Sequence, residues 1–292
     1  MDSLATYVTT SLPPVASSVT TVRLNGDVAH RNLIAAHRGL SALPEQDLQT
    51  LLQWSTIRNL RQRETVFRQD DPARTVILVL EGYVKLSVFL ADGREVAVEI
   101  VGPGECFGET AVLNQCPRET NAVTISRCRL LGFDARQFNQ VIERRPQAAL
   151  AIARMLSERL RRTIDQMVDA RALPAPARLA KTLLSLARFQ PGALPHRQSA
   201  PPCLSQTEIG SLSGLTRESV NKYLAAWRDA GWILLSGRSV IVLNPAALAD
   251  LVHRQTQSAV RDTEELPLAT RKTPAALVAL VSRTAATQHA HQ

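Results

Sequence analysis

The residues Leu204 to Leu243, LSQTEIGSLSGLTRESVNKYLAAWRDAGWILLSGRSVIVL, leave the backbone little freedom. Ser205 is a helix-capping residue, and Glu208 follows three positions on, where its carboxylate reaches back to the cap. The helix they start is short. Ile209 and Leu212 lie about one turn apart on its inner face, and Gly214 offers the left-handed conformation that ends it and opens a tight turn. Thr216 caps a second helix, in which Val220, Leu224 and Trp227 recur at helical spacing, with Arg217, Glu218, Asn221 and Lys222 towards the other face, until Gly231 closes it. Trp232 to Leu235 and Val240 to Leu243 are then β-prone runs around Ser-Gly-Arg-Ser, a hairpin with Gly237 and Arg238 at its tip.

Two short helices across a Gly-Leu turn followed by a small hairpin outline a winged helix-turn-helix, and such a unit has double-stranded DNA as its partner. Arg217, at the N-terminal end of the second helix, suits the O6 and N7 acceptors of guanine, and Glu218 suits a cytosine amino group. Lys222, about one turn on, reaches a second guanine or a phosphate. Ser205, Gln206, Thr207 and Arg238 are placed for DNA-backbone contacts, which set register and carry no sequence information. An isolated Arg-Glu pair is usually an ordinary solvated pair; the capped turn and the wing give this one its meaning.

The net charge of +8 suits a polyanionic partner, and 45% hydrophobic with 21% charged residues describes a globular protein of 292 residues with room for two cores. Cys106, Cys116, Cys128 and Cys203 are scattered without CxxC or His-Cys spacing, so neither a metal site nor an iron-sulfur cage is indicated. No long apolar run occurs, and Pro13-Pro14 interrupts an N-terminal stretch that lacks a basic lead; no membrane association and a cytoplasmic location are expected. No nucleophile-base constellation and no GxxxxGK[ST] loop is present, so no catalytic activity is expected.

Residues 1–32 and 251–292 lack a stable period and read as poorly ordered extensions, the second most clearly from Thr256. From Leu33 to Leu52 the apolar spacing is helical, interrupted at Pro44. Short β-prone runs follow at Val66 to Phe67, Val76 to Leu80, Val84 to Leu90, Val96 to Val101, Ala122 to Ile125 and Leu130 to Phe133, separated by turn residues of which Asp92-Gly93 is the clearest. An antiparallel roll within residues 33–145 is expected. Residues 146–172 form one long helix in which Leu156, Leu160, Thr163 and Met167 share a stripe. That helix outruns so small a roll, which points to a homodimer. Leu173-Pro174-Ala175-Pro176 breaks it as a hinge, a helix from Ala177 to Phe189 follows, and residues 173–250 make the DNA-binding domain. The fold class is α+β: a jelly-roll-like antiparallel β-roll, a dimerisation helix and a winged helix-turn-helix.

This order of parts, over roughly residues 40–245, resembles the Crp/Fnr family of bacterial transcription regulators. The stretch GREVAVEIVGPGECFGETAVLNQCPRETNAVTISRCRLLGF, Gly93 to Phe133, looks like the family's phosphate-binding cassette and the strands after it. The resemblance implies that Gly108, Glu109 and Thr110 hold the cyclic phosphate and ribose, that Arg118 neutralises the phosphate, and that Thr163 reads an adenine amino group. The sequence departs from that pattern at Glu119, where a hydroxyl is usual, and at Ile164, where the cyclic AMP binders offer a serine from the partner subunit. A carboxylate facing the anion would weaken binding unless it turns outward or pairs with Arg118. Three readings stay open for the roll: a cyclic nucleotide (cAMP or cGMP), another anionic signal, or an effector-free platform. The iron-sulfur and haem modes of the family find no ligand pattern. RESVNK, Arg217 to Lys222, resembles the reader signature of the catabolite-activator branch, with Lys222 for its final arginine and Gln206 where an arginine is frequent. The resemblance implies a palindromic operator with TGTGA-type half-sites and RNA polymerase as a further partner. A rival reading is a nucleotide-binding protein acting on a protein partner; it predicts nucleotide binding without DNA affinity.

Overall fold

The computed structural model describes residues 43–189 and 202–264. The N-terminal extension, the part of the first expected helix over residues 33–42, the Pro-rich link after Phe189 and the tail from residue 265 lie outside the described residues. A short helix, α1 (Glu45–Gln53), leads into β1 (Ser55–Leu60), β2 (Thr65–Phe67), β3 (Thr75–Glu81), β4 (Val84–Phe89), β5 (Glu95–Val101) and β6 (Cys106–Phe107). The short α2 (Glu109–Leu113), β7 (Asn121–Thr124), β8 (Cys128–Asp134) and α3 (Ala135–Arg144) complete the roll.

Its strands form two four-stranded sheets, ordered β1-β8-β3-β6 and β2-β7-β4-β5, with antiparallel pairing throughout. The first sheet is buried on both faces. Ile77, Val79 and Leu130 point to the core between the sheets, and Val76, Leu78, Leu131 and Phe133 to a second core under α1 and α3. This is why β3 reads as a continuous apolar run and not as an alternation. The hairpin between β4 and β5 turns at Gly93 with φ +81°, as Asp92-Gly93 predicts. β1 and β6 were not apparent in the sequence. β1 is half polar, yet Ile57 and Leu60 are buried and it pairs along its length with β8.

The long helix α4 (Pro146–Ala172) has the expected bounds. Ala148 and Ile152 are buried against the roll, and Met155 and Leu156 partly so. Beyond them Leu160, Ile164, Met167 and Val168 are about half exposed or more, an apolar face that nothing in the single chain covers. The break after α4 is narrower than Leu173 to Pro176: α5 (Ala175–Ala187) starts directly after Pro174, and Pro176 sits in its first turn, where its missing amide costs nothing.

The winged unit follows as α6 (Gln206–Ser213), α7 (Arg217–Asp229), β9 (Ile233–Ser236) and β10 (Ser239–Val242). A further helix, α8 (Pro245–Glu264), corrects the boundary placed at residue 250: the chain stays helical through the first part of the supposed tail. Leu248 is fully buried, Leu251 and Val252 pack on the same cluster, and α8 lies along α5, so burial stabilises a helix whose later residues carry little apolar signal of their own.

Candidate functional site

The reader is built by its caps. The Glu208 amide donates to the Ser205 hydroxyl at 3.2 Å and the Ser205 amide donates to Glu208 Oε2 at 2.7 Å, a complete capping box. Gly214 closes α6 at φ +65°, and the Ser219 amide donates to the Thr216 hydroxyl at 3.3 Å to start α7. Gly210 packs against the turn itself: a Cβ there would lie 2.6 Å from the Leu215 carbonyl oxygen. With Val220, Leu224 and Trp227 buried, Arg217, Glu218, Asn221 and Lys222 are left together on the exposed side. Gln206 Nε2 donates to Asn221 Oδ1 at 3.1 Å and ties the two helices. Thr207 is exposed at the start of α6. The Ser205 hydroxyl is engaged in its cap, and Arg238 on the wing is 3.4 Å from Glu208 Oε2.

In the roll, Gly108, Glu109, Thr110 and Arg118 come together as expected. Gly108 adopts φ +76° at the start of α2, and a Cβ there would lie 2.4 Å from an Arg118 nitrogen. Arg118 is buried. Its Nη1 donates to the Gly108 carbonyl at 2.7 Å and Nη2 to the Thr75 carbonyl, and its guanidinium stacks 4.2 Å above the Phe67 ring. Burial lowers the pKa of this guanidinium, against the pull of Asp71 and Glu109. Glu119 is exposed and pairs with nothing at Arg118, so the carboxylate that departs from the family pattern turns to solvent.

Glu109 is fully buried, and its partner is Arg159 of α4, which also donates to the Cys106 carbonyl at 2.8 Å. Burial pushes the Glu109 carboxyl up, and Arg159 offsets only part of that rise. Burial works against the charge on Arg159, but Glu109 and Glu99 together outweigh it and hold the guanidinium protonated. Two buried atoms at this cassette lack a hydrogen-bond partner, Glu109 Oε2 as acceptor and Arg118 Nε as donor. Those free valences, with the side-chain-free Gly108, fit a ligand that presents a hydroxyl and an anion.

Thr163 stands one turn beyond Arg159 on α4 and donates to the Arg159 carbonyl at 3.1 Å. It lines a cavity of about 480 Å³ together with Glu99, Arg159 and Arg162, bounded on the far side by Leu212 to Gly214 of the reader. Arg159 and Glu99 escaped the sequence reading. The available signal was phase: Arg159 continues the buried stripe of Ile152 and Met155, a charge on an inward face. The cavity adjoins the hinge, where Arg178 donates to the carbonyls of Leu173, Ser213 and Gly214 and Lys181 pairs with Asp169 at 2.6 Å.

Two family models match the chain: a cyclic nucleotide-binding domain over residues 57–145 and a Crp-like helix-turn-helix domain over residues 177–251. A CRP-like cAMP-activated global transcriptional regulator of Mycobacterium tuberculosis is 37% identical over 189 residues, 63% of this chain and 83% of that protein. Among solved structures, FixK2 from Bradyrhizobium japonicum superposes with a TM-score of 0.59 at 26% identity, over 68% of this chain and 96% of the other. The c-di-GMP-responsive global regulator CLP of Xanthomonas campestris superposes with a TM-score of 0.56 at 27% identity, over 68% and 99%. No helix among the described residues is long and apolar enough to cross a membrane.

Proposed function

Because the chain belongs to the Crp/Fnr family of DNA-binding transcription regulators, we propose that it acts as a cytoplasmic homodimer whose grip on a palindromic operator is set by a cyclic nucleotide in the roll. The observation that carries this reading is the double use of α4. Arg159 and Thr163 on that helix line the cavity beside the hinge and Arg159 pairs with Glu109 of the cassette, while Leu160, Ile164, Met167 and Val168 form an apolar face without a cover. A second copy is the natural cover for such a stripe. Ligand at the cavity would then act on the helix that holds the two readers together, and Arg178 passes its position on to the turn between α6 and α7.

In the dimer two α7 helices enter successive major grooves about 34–36 Å apart. Arg217 and Glu218 read bases, Lys222 reads a base with lower fidelity than an arginine, and Gln206, Thr207 and Arg238 hold the backbone. The resemblance of the reader helix to the catabolite-activator branch supports half-sites of the TGTGA type, with RNA polymerase as a further partner. Sedimentation equilibrium of wild type and a Leu160→Asp, Met167→Asp variant tests the assembly: the wild type is dimeric and the variant monomeric, and a monomeric wild type overturns it.

A second reading, an effector-independent regulator, draws on the contacts that hold the cassette together by itself, the Glu109–Arg159 pair and Arg118 on the Gly108 and Thr75 carbonyls. Equal operator affinity with and without nucleotide would select it.

A further inference from the structure

Glu99 on β5 lies against the turn of α4 that carries Thr163. Its Oε2 is 3.2 Å from Arg159 Nε and its Oε1 is 3.5 Å from Arg162 Nη1. Neither ion pair is a hydrogen bond: among the described residues no donor is hydrogen-bonded to this carboxylate, and the Nε atoms of both arginines are buried without a partner. The cavity is therefore lined by the two acceptor oxygens of Glu99, which face two guanidinium groups without a hydrogen bond from either, and by the guanidinium of Arg162, with the carboxylate's charge already balanced.

We propose that this cavity takes a guanine base, with Glu99 as the residue that selects it. The Watson–Crick edge of guanine presents N1–H and the 2-amino group as adjacent donors, which match the two oxygens of one carboxylate. The O6 and N7 acceptors of the same base match a guanidinium N–H. Adenine presents the lone pair of N1 beside its amino group, so one carboxylate oxygen would face a lone pair. A site built for two donors rejects an analogue that lacks them more strongly than an apolar pocket does. The inference rests on the roll being a cyclic-nucleotide sensor and names the base it prefers; the base is shared by cyclic GMP and cyclic di-GMP.

Calorimetric titration of the full chain with cyclic AMP, cyclic GMP, cyclic di-GMP and cyclic IMP tests it. One or both guanine ligands should bind at least roughly tenfold tighter than cyclic AMP, and which of the two does so identifies the source. Cyclic IMP, which lacks the 2-amino group, should bind more weakly than cyclic GMP if the mononucleotide is the ligand. Glu99→Gln should bring the affinities for the guanine ligands and for cyclic AMP to within a few-fold of one another. Cyclic AMP binding as tightly as either guanine ligand to the wild type overturns the guanine assignment and leaves the sensor reading standing. A guanine preference undiminished in Glu99→Gln overturns the role of Glu99. No binding of any of the four overturns the sensor reading, and the inference with it.

Discussion

The Ala97 amide of the roll donates to the Ser211 hydroxyl of the reader at 2.7 Å, and the same hydroxyl donates to the Glu95 carbonyl at 3.3 Å. β5 is an edge strand of its sheet, and α6 thus satisfies backbone groups that no neighbouring strand can reach. Lys85 is buried beside it, 2.9 Å from Glu95 and 3.8 Å from Glu208, and Tyr83 meets Phe189 edge-on at 5.1 Å. The roll and the reader share one apolar cluster through these contacts. Replacing Ser211 by Ala leaves the Ala97 amide without its partner, at about 1–3 kcal/mol. Hydrogen exchange at Ala97 should accelerate roughly ten- to hundredfold in that variant; an unchanged rate would show that the contact does not hold the domains together.

The helix-turn-helix depends on a close approach at Gly210. A methyl group there would meet the Leu215 carbonyl oxygen at 2.6 Å, and that atom belongs to the turn backbone and cannot swing away. Gly210→Ala should cost about 1–3 kcal/mol of stability, read as a lowered melting temperature, and should weaken operator binding as well. A wild-type melting temperature would mean that the turn is looser than its geometry implies.

The buried Glu109 carboxyl makes stability fall with rising pH. Its pKa is raised in the folded chain, chiefly by burial, so its contribution is present in full below the ordinary value of 4.5 and is lost as pH climbs through the raised folded value. The melting temperature of wild type relative to Glu109→Gln should therefore decline as pH rises above that ordinary value. Curves for the two proteins that stay parallel from about pH 4 to about pH 8 would remove burial of this carboxyl from the account.

Base-reading and backbone-holding residues should separate by salt. Arg217→Ala should cost about 1–3 kcal/mol on the operator and relax specificity at one base position. Arg238→Gln should weaken binding to all duplexes alike and lower the salt slope by about one unit, since it sits in the wing turn between β9 and β10 and not on α7. The same salt slope in wild type and Arg238→Gln would exclude the phosphate contact.

What was legible in the sequence was local. Ser205 with Glu208, Gly214 and Thr216 specify their turns by chemistry within a few residues, and the structure forms those caps. Strands with continuous apolar runs were equally readable, whereas β1 becomes a strand through pairing with β8, more than sixty residues away in the chain. The cassette residues came together as the motif implied. The inward phase of Arg159 on α4 was legible, but its partners and Glu99 were not, because their roles arise where α4 crosses β5 and Glu109, a crossing that no local pattern encodes. The same holds for α8, whose helical state follows from burial against α5.

The central claim is that nucleotide in the roll controls sequence-specific binding by the reader. Fluorescence anisotropy of a labelled TGTGA-type palindrome, titrated with the full chain at fixed salt, tests it directly, with a scrambled duplex of the same composition as reference. Saturation with the cyclic nucleotide found to bind should tighten binding to the palindrome by roughly tenfold or more, about 1.4 kcal/mol, and leave the scrambled duplex unaffected. The same affinity for the palindrome with and without nucleotide, or for the palindrome and the scrambled duplex in its presence, would contradict the account.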